Sequence, residues 1–278
     1  MKTAARASMR REPAVAGAFY PDDPAEFRAL VEQCLVGVPA EGRFCRGALV
    51  PHAGLVFSGR CAGEVLGRLG IPPVVVILAP NHTGRADSPG ASLWREGEFL
   101  TPLGPVPIES EFAARLEAAS DLVAHDPVAH EAEHAIEVEL PFLRLLAPES
   151  AIVPLVLGFA DAARCSRLAA QLASTVAGWD GPVLLLASSD MNHYESAATA
   201  ARKDRIALQR IEHLDGPGLL EACRAEGLTM CGRGPAAVML QATQLLGAGQ
   251  AELVSYRHSG EVSGDDTGVV SYAGVIIA

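Results

Sequence analysis

Val74-Val75-Val76-Ile77-Leu78-Ala79-Pro80-Asn81-His82 is an unbroken apolar run that ends in a proline, an amide and an imidazole. Such a run, rich in β-branched residues, reads as a strand buried on both faces, as in the interior of a parallel sheet. Two other runs have the same form. Gly47–Val50 leads into Pro51-His52-Ala53-Gly54, and Val183–Ala187 leads into Ser188-Ser189-Asp190-Met191-Asn192-His193. Each run delivers a histidine just past its carboxyl end. Ligands of open α/β sheets bind in the crevice outside those ends, so His52, His82 and His193 are expected to converge although they lie far apart in the chain.

Outward from these runs, strands are predicted at Ala151–Leu157, Leu253–Arg257 and Val269–Ile277. Helical spacing of apolar residues is seen at Cys61–Leu69, Glu111–Ala119, Glu133–Leu146, Ala162–Val176, Thr199–His213 and Pro235–Leu246. This alternation predicts an α/β fold, one domain over 13–278 with helices on both faces of a central sheet. Leu93–Ile108, broken by Gly97, Pro102, Gly104 and Pro105, predicts a local antiparallel excursion and hence a mixed sheet. Residues 1–12 read as a flexible N-terminal tail. Gly264-Asp265-Asp266 reads as a turn.

With 49% hydrophobic and 20% charged residues, the 278-residue chain can bury a large core. Its net charge of −11, with no basic stretch beyond Arg6, Arg10 and Arg11, argues against a nucleic-acid partner. No apolar run approaches the roughly 20 residues of a membrane span. No apolar segment follows the basic N-terminal residues as in a secretory signal, so a cytoplasmic location is expected. The six cysteines form no C-x-x-C pair and are expected to be reduced.

Imidazole nitrogen is the commonest metal donor, and two histidines with one further protein ligand leave coordination positions open. Cys231, in Thr229-Met230-Cys231-Gly232-Arg233-Gly234-Pro235, is the best candidate for that third donor. A following helix N-terminus and nearby Arg233 predict a lowered thiol pKa. His130-Glu131-Ala132-Glu133-His134 matches the H-E-x-x-H spacing of zinc peptidases. Pro127, three residues before His130, argues against it by placing that histidine at a helix start. Glu133, His134 and Glu137 stay candidates for lining the pocket or supporting ligands.

The order of short motifs carries a resemblance over nearly the whole chain. Ala16-Gly17-Ala18-Phe19-Tyr20-Pro21, PHAG at 51–54, PNH at 80–82, TPLG at 101–104, Glu133-His134 with Glu137, SSD-x-x-H at 188–193, CG-x-x-P at 231–235 and SGEVSGDD at 259–266 together resemble the Memo-like family. The resemblance implies a fold similar to class III extradiol dioxygenases. It implies a mononuclear metal, Fe(II) or copper with zinc as a further possibility, held by His52, His82 and Cys231. It also implies that His193 is an acid/base group, oriented by Asp190 or His134. Where the ring-cleaving enzymes use a carboxylate as third ligand, this chain has a cysteine, so ring cleavage is not implied. The expected function is a metal-dependent redox enzyme acting on an unidentified small molecule. The alternative is a non-catalytic metal- or peptide-binding component acting with an AMMECR-like protein and a radical SAM enzyme. A cysteine hydrolase built on Cys231 and His193 is a third reading.

Overall fold

The structure, a computed structural model, describes residues 9–39 and 42–278. Its strands are β1 Arg10–Arg11, β2 Gly47–Val50, β3 Val74–Pro80, β4 Ala91–Leu93, β5 Glu98–Phe99, β6 Val106–Pro107, β7 Val123–His125, β8 Ala151–Leu157, β9 Val183–Ser188, β10 His193–Glu195, β11 Ala251–His258 and β12 Val269–Ile277. One sheet runs in the order β10-β12-β2-β9-β3-β8-β4-β7, with β11 also paired to β12. Its centre, β2-β9-β3-β8, is parallel; β12 on one side and β4 on the other are antiparallel to their neighbours there. The mixed sheet and single α/β architecture are those the alternation predicts. A small second sheet, β1-β5-β6, includes the antiparallel pair expected within Leu93–Ile108.

The apolar run of β3 is buried on both faces for a simple geometric reason. Side chains alternate across a strand, and Val74, Val76 and Leu78 enter one core while Val75, Ile77 and Ala79 enter the other. The first core is closed by helices that include Ser110–Ala119, Ala162–Ala177 and Arg233–Leu245, the second by Pro24–Cys34, Leu55–Leu66 and Leu140–Leu146. Each fully buried Val, Leu or Ile stabilises by about 1.5–3 kcal/mol relative to exposure, so the two cores together rigidify the strand ends that carry the site.

Two expectations need correction, and one helix has no counterpart among the predicted segments. Residues 1–8 lie outside the described residues, but Arg10-Arg11, assigned to the tail, pair parallel to β5, and the Arg11 side chain is buried. The helix expected over Glu133–Leu146 is instead a loop, a short 3-10 turn at Glu137–Glu139 and a helix at Leu140–Leu146. Glu133 bends its carboxylate back onto the His134 and Ala135 N–H groups (2.9 and 3.0 Å), and Arg11 binds the His130 and Glu133 carbonyls, so these groups are spent outside a helical ladder. Helix Pro24–Cys34 lies outside the segments with predicted helical spacing, although Asp23 caps it by accepting from Ala25 and Glu26 and Pro24 sits in its first turn.

Candidate metal site

The site lies at the carboxyl ends of β2, β9 and β3, which are neighbours in that order. Val50 pairs with Ser188 and Leu78 with Ala187, so the chain turns out of all three strands at one level. His52 follows β2 by two residues, His82 follows β3 by two, and Ser188 closes β9 between them.

His52 is buried, and its hydrogen bonds fix its tautomer. The Ser188 hydroxyl donates to the Ala135 carbonyl (2.7 Å), which can only accept. Its oxygen must then accept from His52 Nδ1–H (2.7 Å), leaving Nε2 with its lone pair free. Asp190 Oδ1 pins the loop by accepting from the His52 and Ala53 N–H groups (2.8 and 3.3 Å). Burial, then the neighbouring imidazoles of His82, His134 and His193, holds His52 well below the ordinary histidine range, so its ring is neutral.

His82 is set in the same way by a different acid. Its N–H donates to Glu133 Oε2 (2.6 Å) and its Nδ1–H to Oε1 (2.8 Å), so its Nε2 is also the free nitrogen. Burial would raise the Glu133 carboxyl, but the bonds and charge of His82 and the Ala135 N–H outweigh it and hold it below the usual range. His134 stacks on His82, with centroids 4.6 Å apart and an interplanar angle of 23°, and meets His52 edge-on at 5.5 Å. Phe19 packs against His134 at 4.8 Å. Donor nitrogens of His52, His82 and His134 lie within 4.8 Å of one another, a spacing suited to one ion.

Cys231 reaches the same place from the far end of the chain. Gly232 makes this possible: a Cβ there would stand 2.2 Å from the Ser188 carbonyl. The Gly232 N–H donates to Ser189 Oγ (2.9 Å), and Cys231 Sγ comes to 3.3 Å from His52 Nε2 and 3.2 Å from the Asp190 N–H. The expected low thiol pKa is not found. Burial and the Asp190 charge push Cys231 up to about 12, so without a cation it is a thiol and its S–H donates to His52 Nε2. A cation replacing that proton is the usual route by which a buried thiol becomes a ligand. The close three-donor group nevertheless contains His134, where the sequence reading places Cys231.

His193 stands at the border of the site, near enough for its charge to act on His52 and Asp190. Its Nδ1–H donates to the Met191 carbonyl (3.0 Å) and its N–H to Thr229 Oγ1 (2.8 Å), leaving Nε2 as an acceptor. Its orientation therefore comes from backbone and Thr229, and not from the expected Asp190 or His134. Burial lifts Asp190 to about 6, against the pull of the His52 N–H. His130, first histidine of the H-E-x-x-H match, is turned away: its Nε2–H donates to the Ser92 carbonyl (2.9 Å), and burial pushes it down to about 4. Of that motif only Glu133 and His134 belong to the site. A cleft of about 180 Å³ between Pro80, Asn81, Phe159, Cys231 and Arg233 opens on the Cys231 side.

Ser188 and Arg11 contribute without having been singled out. Ser188 lies in the quoted SSD-x-x-H motif, whereas nothing local in the sequence marks Arg11, whose partners are some 120 residues away.

The fold and the donor set together define an α/β protein with a histidine-rich, metal-type centre at adjacent strand ends. The chain belongs to the Memo-like family, matching its description, Memo-like protein, over residues 11–276. It is similar to a MEMO1 family protein of Methanopyrus kandleri, 38% identical over 96% of this chain and 99% of the relative. A MEMO1 family protein of Thermotoga maritima is 37% identical over 97% and 100%, and one of Methanobrevibacter smithii is 36% identical over 95% and 98%. No helix among the described residues is long and apolar enough to cross a membrane.

Proposed function

We propose that the protein holds one first-row transition-metal ion, iron(II) or copper, between His52, His82 and His134, with Cys231 as a further donor, and acts as a cytoplasmic oxidoreductase on a small molecule. The observation that carries this reading is the convergence of three imidazole donors within 4.8 Å, two of them with their free nitrogen fixed by Ser188 and Glu133. Neutral nitrogens suit iron and copper, and a thiolate beside them favours the softer copper or zinc over a hard cation. When bound, the ion would supply one-electron chemistry and Lewis acidity. The chain's own part is to present lone pairs, keep His52 neutral by burial, and admit a small ligand through the cleft beside Cys231. His193 Nε2, the remaining free acceptor, takes or returns a proton at the border of the site. Six free cysteines, five of them buried, accord with a reducing cytoplasm.

The test is an anaerobic cobalt(II) titration of wild type and of His52→Ala, His82→Ala, His134→Ala and Cys231→Ser, followed by metal analysis after loading with iron or copper. The reading expects one ion per chain, lost in His52→Ala and His82→Ala and weakened in His134→Ala. A sulfur-to-cobalt charge-transfer band that wild type shows, and that Cys231→Ser lacks while still binding cobalt, would add Cys231 to the ligands. Wild-type protein that binds no metal at all overturns the reading.

A further inference from the structure

Glu139 ends the turn Glu137–Glu139, just beyond the loop that carries Glu133 and His134. Its side chain is fully buried, and neither Oε1 nor Oε2 has a hydrogen-bond partner among the described residues. The other buried acids of this segment are treated differently. Glu133 accepts from four N–H groups, and Glu137 is paired with Arg11 while accepting from Tyr20 and from the Ala14 and Val15 N–H groups.

The polar side chain that acts on Glu139 is Ser188, and the facing charge is Asp190. The single Ser188 proton goes to the Ala135 carbonyl, and its oxygen accepts from His52 Nδ1–H. While it holds the Ala135 carbonyl, Ser188 offers no proton to a carboxylate. An ionised Glu139 would be desolvated, unpaired and repelled by Asp190, which makes the neutral acid the stable form. As an acid it carries a donor of its own, which the remaining Ser188 lone pair can accept.

We propose that Glu139 is the proton store of the metal site: a neutral acid behind Ser188 while the site lacks a cation, it releases its proton to solvent when a divalent cation binds to His52 and His82. The inference rests on the metal reading above. The Glu139 O–H bond breaks, its electron pair stays on the carboxylate, and the proton leaves to water. The Ser188 hydroxyl then turns from the Ala135 carbonyl to the new carboxylate, while its oxygen still accepts from His52 Nδ1–H. The buried cluster thereby gains one net positive charge fewer than the cation brings, which matters most where the dielectric is low. Glu139 touches neither the ion nor a substrate; it is a positioning and charge-compensating residue acting through Ser188 and His52.

Isothermal titration of anaerobic protein with cobalt(II), repeated in buffers of different ionisation enthalpy, counts the protons released per ion. Wild type is expected to release about one proton more than Glu139→Gln, since protons lost by other ligands are common to both. Equal counts at equal stoichiometry overturn the proton store and leave the metal reading standing, whereas absence of binding to wild type overturns both. Infrared difference spectra of wild type alone give an independent measurement should the variant fail to fold. The C=O band of a buried protonated carboxyl is expected to vanish as cobalt is added, and a band that persists overturns the proposal.

Discussion

Glu133 accepts from the N–H and Nδ1–H of His82 and from the N–H groups of His134 and Ala135, so one carboxylate sets both the ring of one histidine and the backbone of the next. Glu133→Gln replaces an acceptor oxygen with a donor amide against those N–H groups. Metal affinity is expected to fall by about 10–100-fold, as read by competition with a chromophoric chelator. His130 gives a pH prediction of definite sign. It is buried at 1% exposure, and burial depresses it from 6.5 to about 4. Between those values the unfolded chain binds a proton that the folded chain refuses. The contribution of His130 is therefore complete above pH 6.5 and is lost as the pH falls towards 4, at roughly 1.4 kcal/mol per pH unit. Urea midpoints of His130→Gln should decline less steeply over that window than those of wild type. His52 and His134 are depressed in the same direction, so the wild-type decline is not expected to vanish in the variant. At this scale the sequence revealed His52 and His82 because each follows a recognisable strand end. It did not reveal His134 as a donor, because its place depends on stacking against His82 across the site.

Among the elements, the least legible was the segment from His130 to Glu139. Its apolar residues suggest a helix, yet β1 intervenes from the other end of the chain. The Arg11 guanidinium reaches the His130 and Glu133 carbonyls and the Glu137 carboxylate, with both charged side chains at 1% exposure or less. Propensity cannot anticipate a competitor about 120 residues away, which here diverts carbonyls that a helix would have used. Removing one partner of such a pair leaves the other charged and buried, so Arg11→Met is expected to cost about 3–5 kcal/mol. Urea denaturation checks this. The same variant is expected to bind metal more weakly, because the released loop holds Glu133 and His134. Strands β2, β3, β8, β9 and β12 were legible for the opposite reason: each is an apolar run in its own right, and β3 supplies both cores from one short run.

For the molecule as a whole, a ligand that binds only the folded chain must stabilise it. An ion present at about 100 times its Kd is expected to add roughly 2.7 kcal/mol. Thermal melts of wild type should therefore rise on adding the preferred ion, while those of His52→Ala should not; equal shifts in both would place binding elsewhere. The overall architecture was readable because a strand-helix alternation with so few breaks permits few arrangements. The order of the sheet was not, since β12, the last strand in the chain, lies between β10 and β2, the latter the strand that leads to His52. That placement sets a timetable during synthesis. While the ribosome is still making residues 269–277, β2 has an open edge and its histidine stands in an unfinished crevice. Cys231 emerges long after His52 and His82, so the side chains of the site can meet only once the chain has been made through residue 231. On the metal reading proposed above, an ion captured by a shorter nascent chain would meet the three histidines without the thiol, so loading at all four side chains would have to follow synthesis of Cys231.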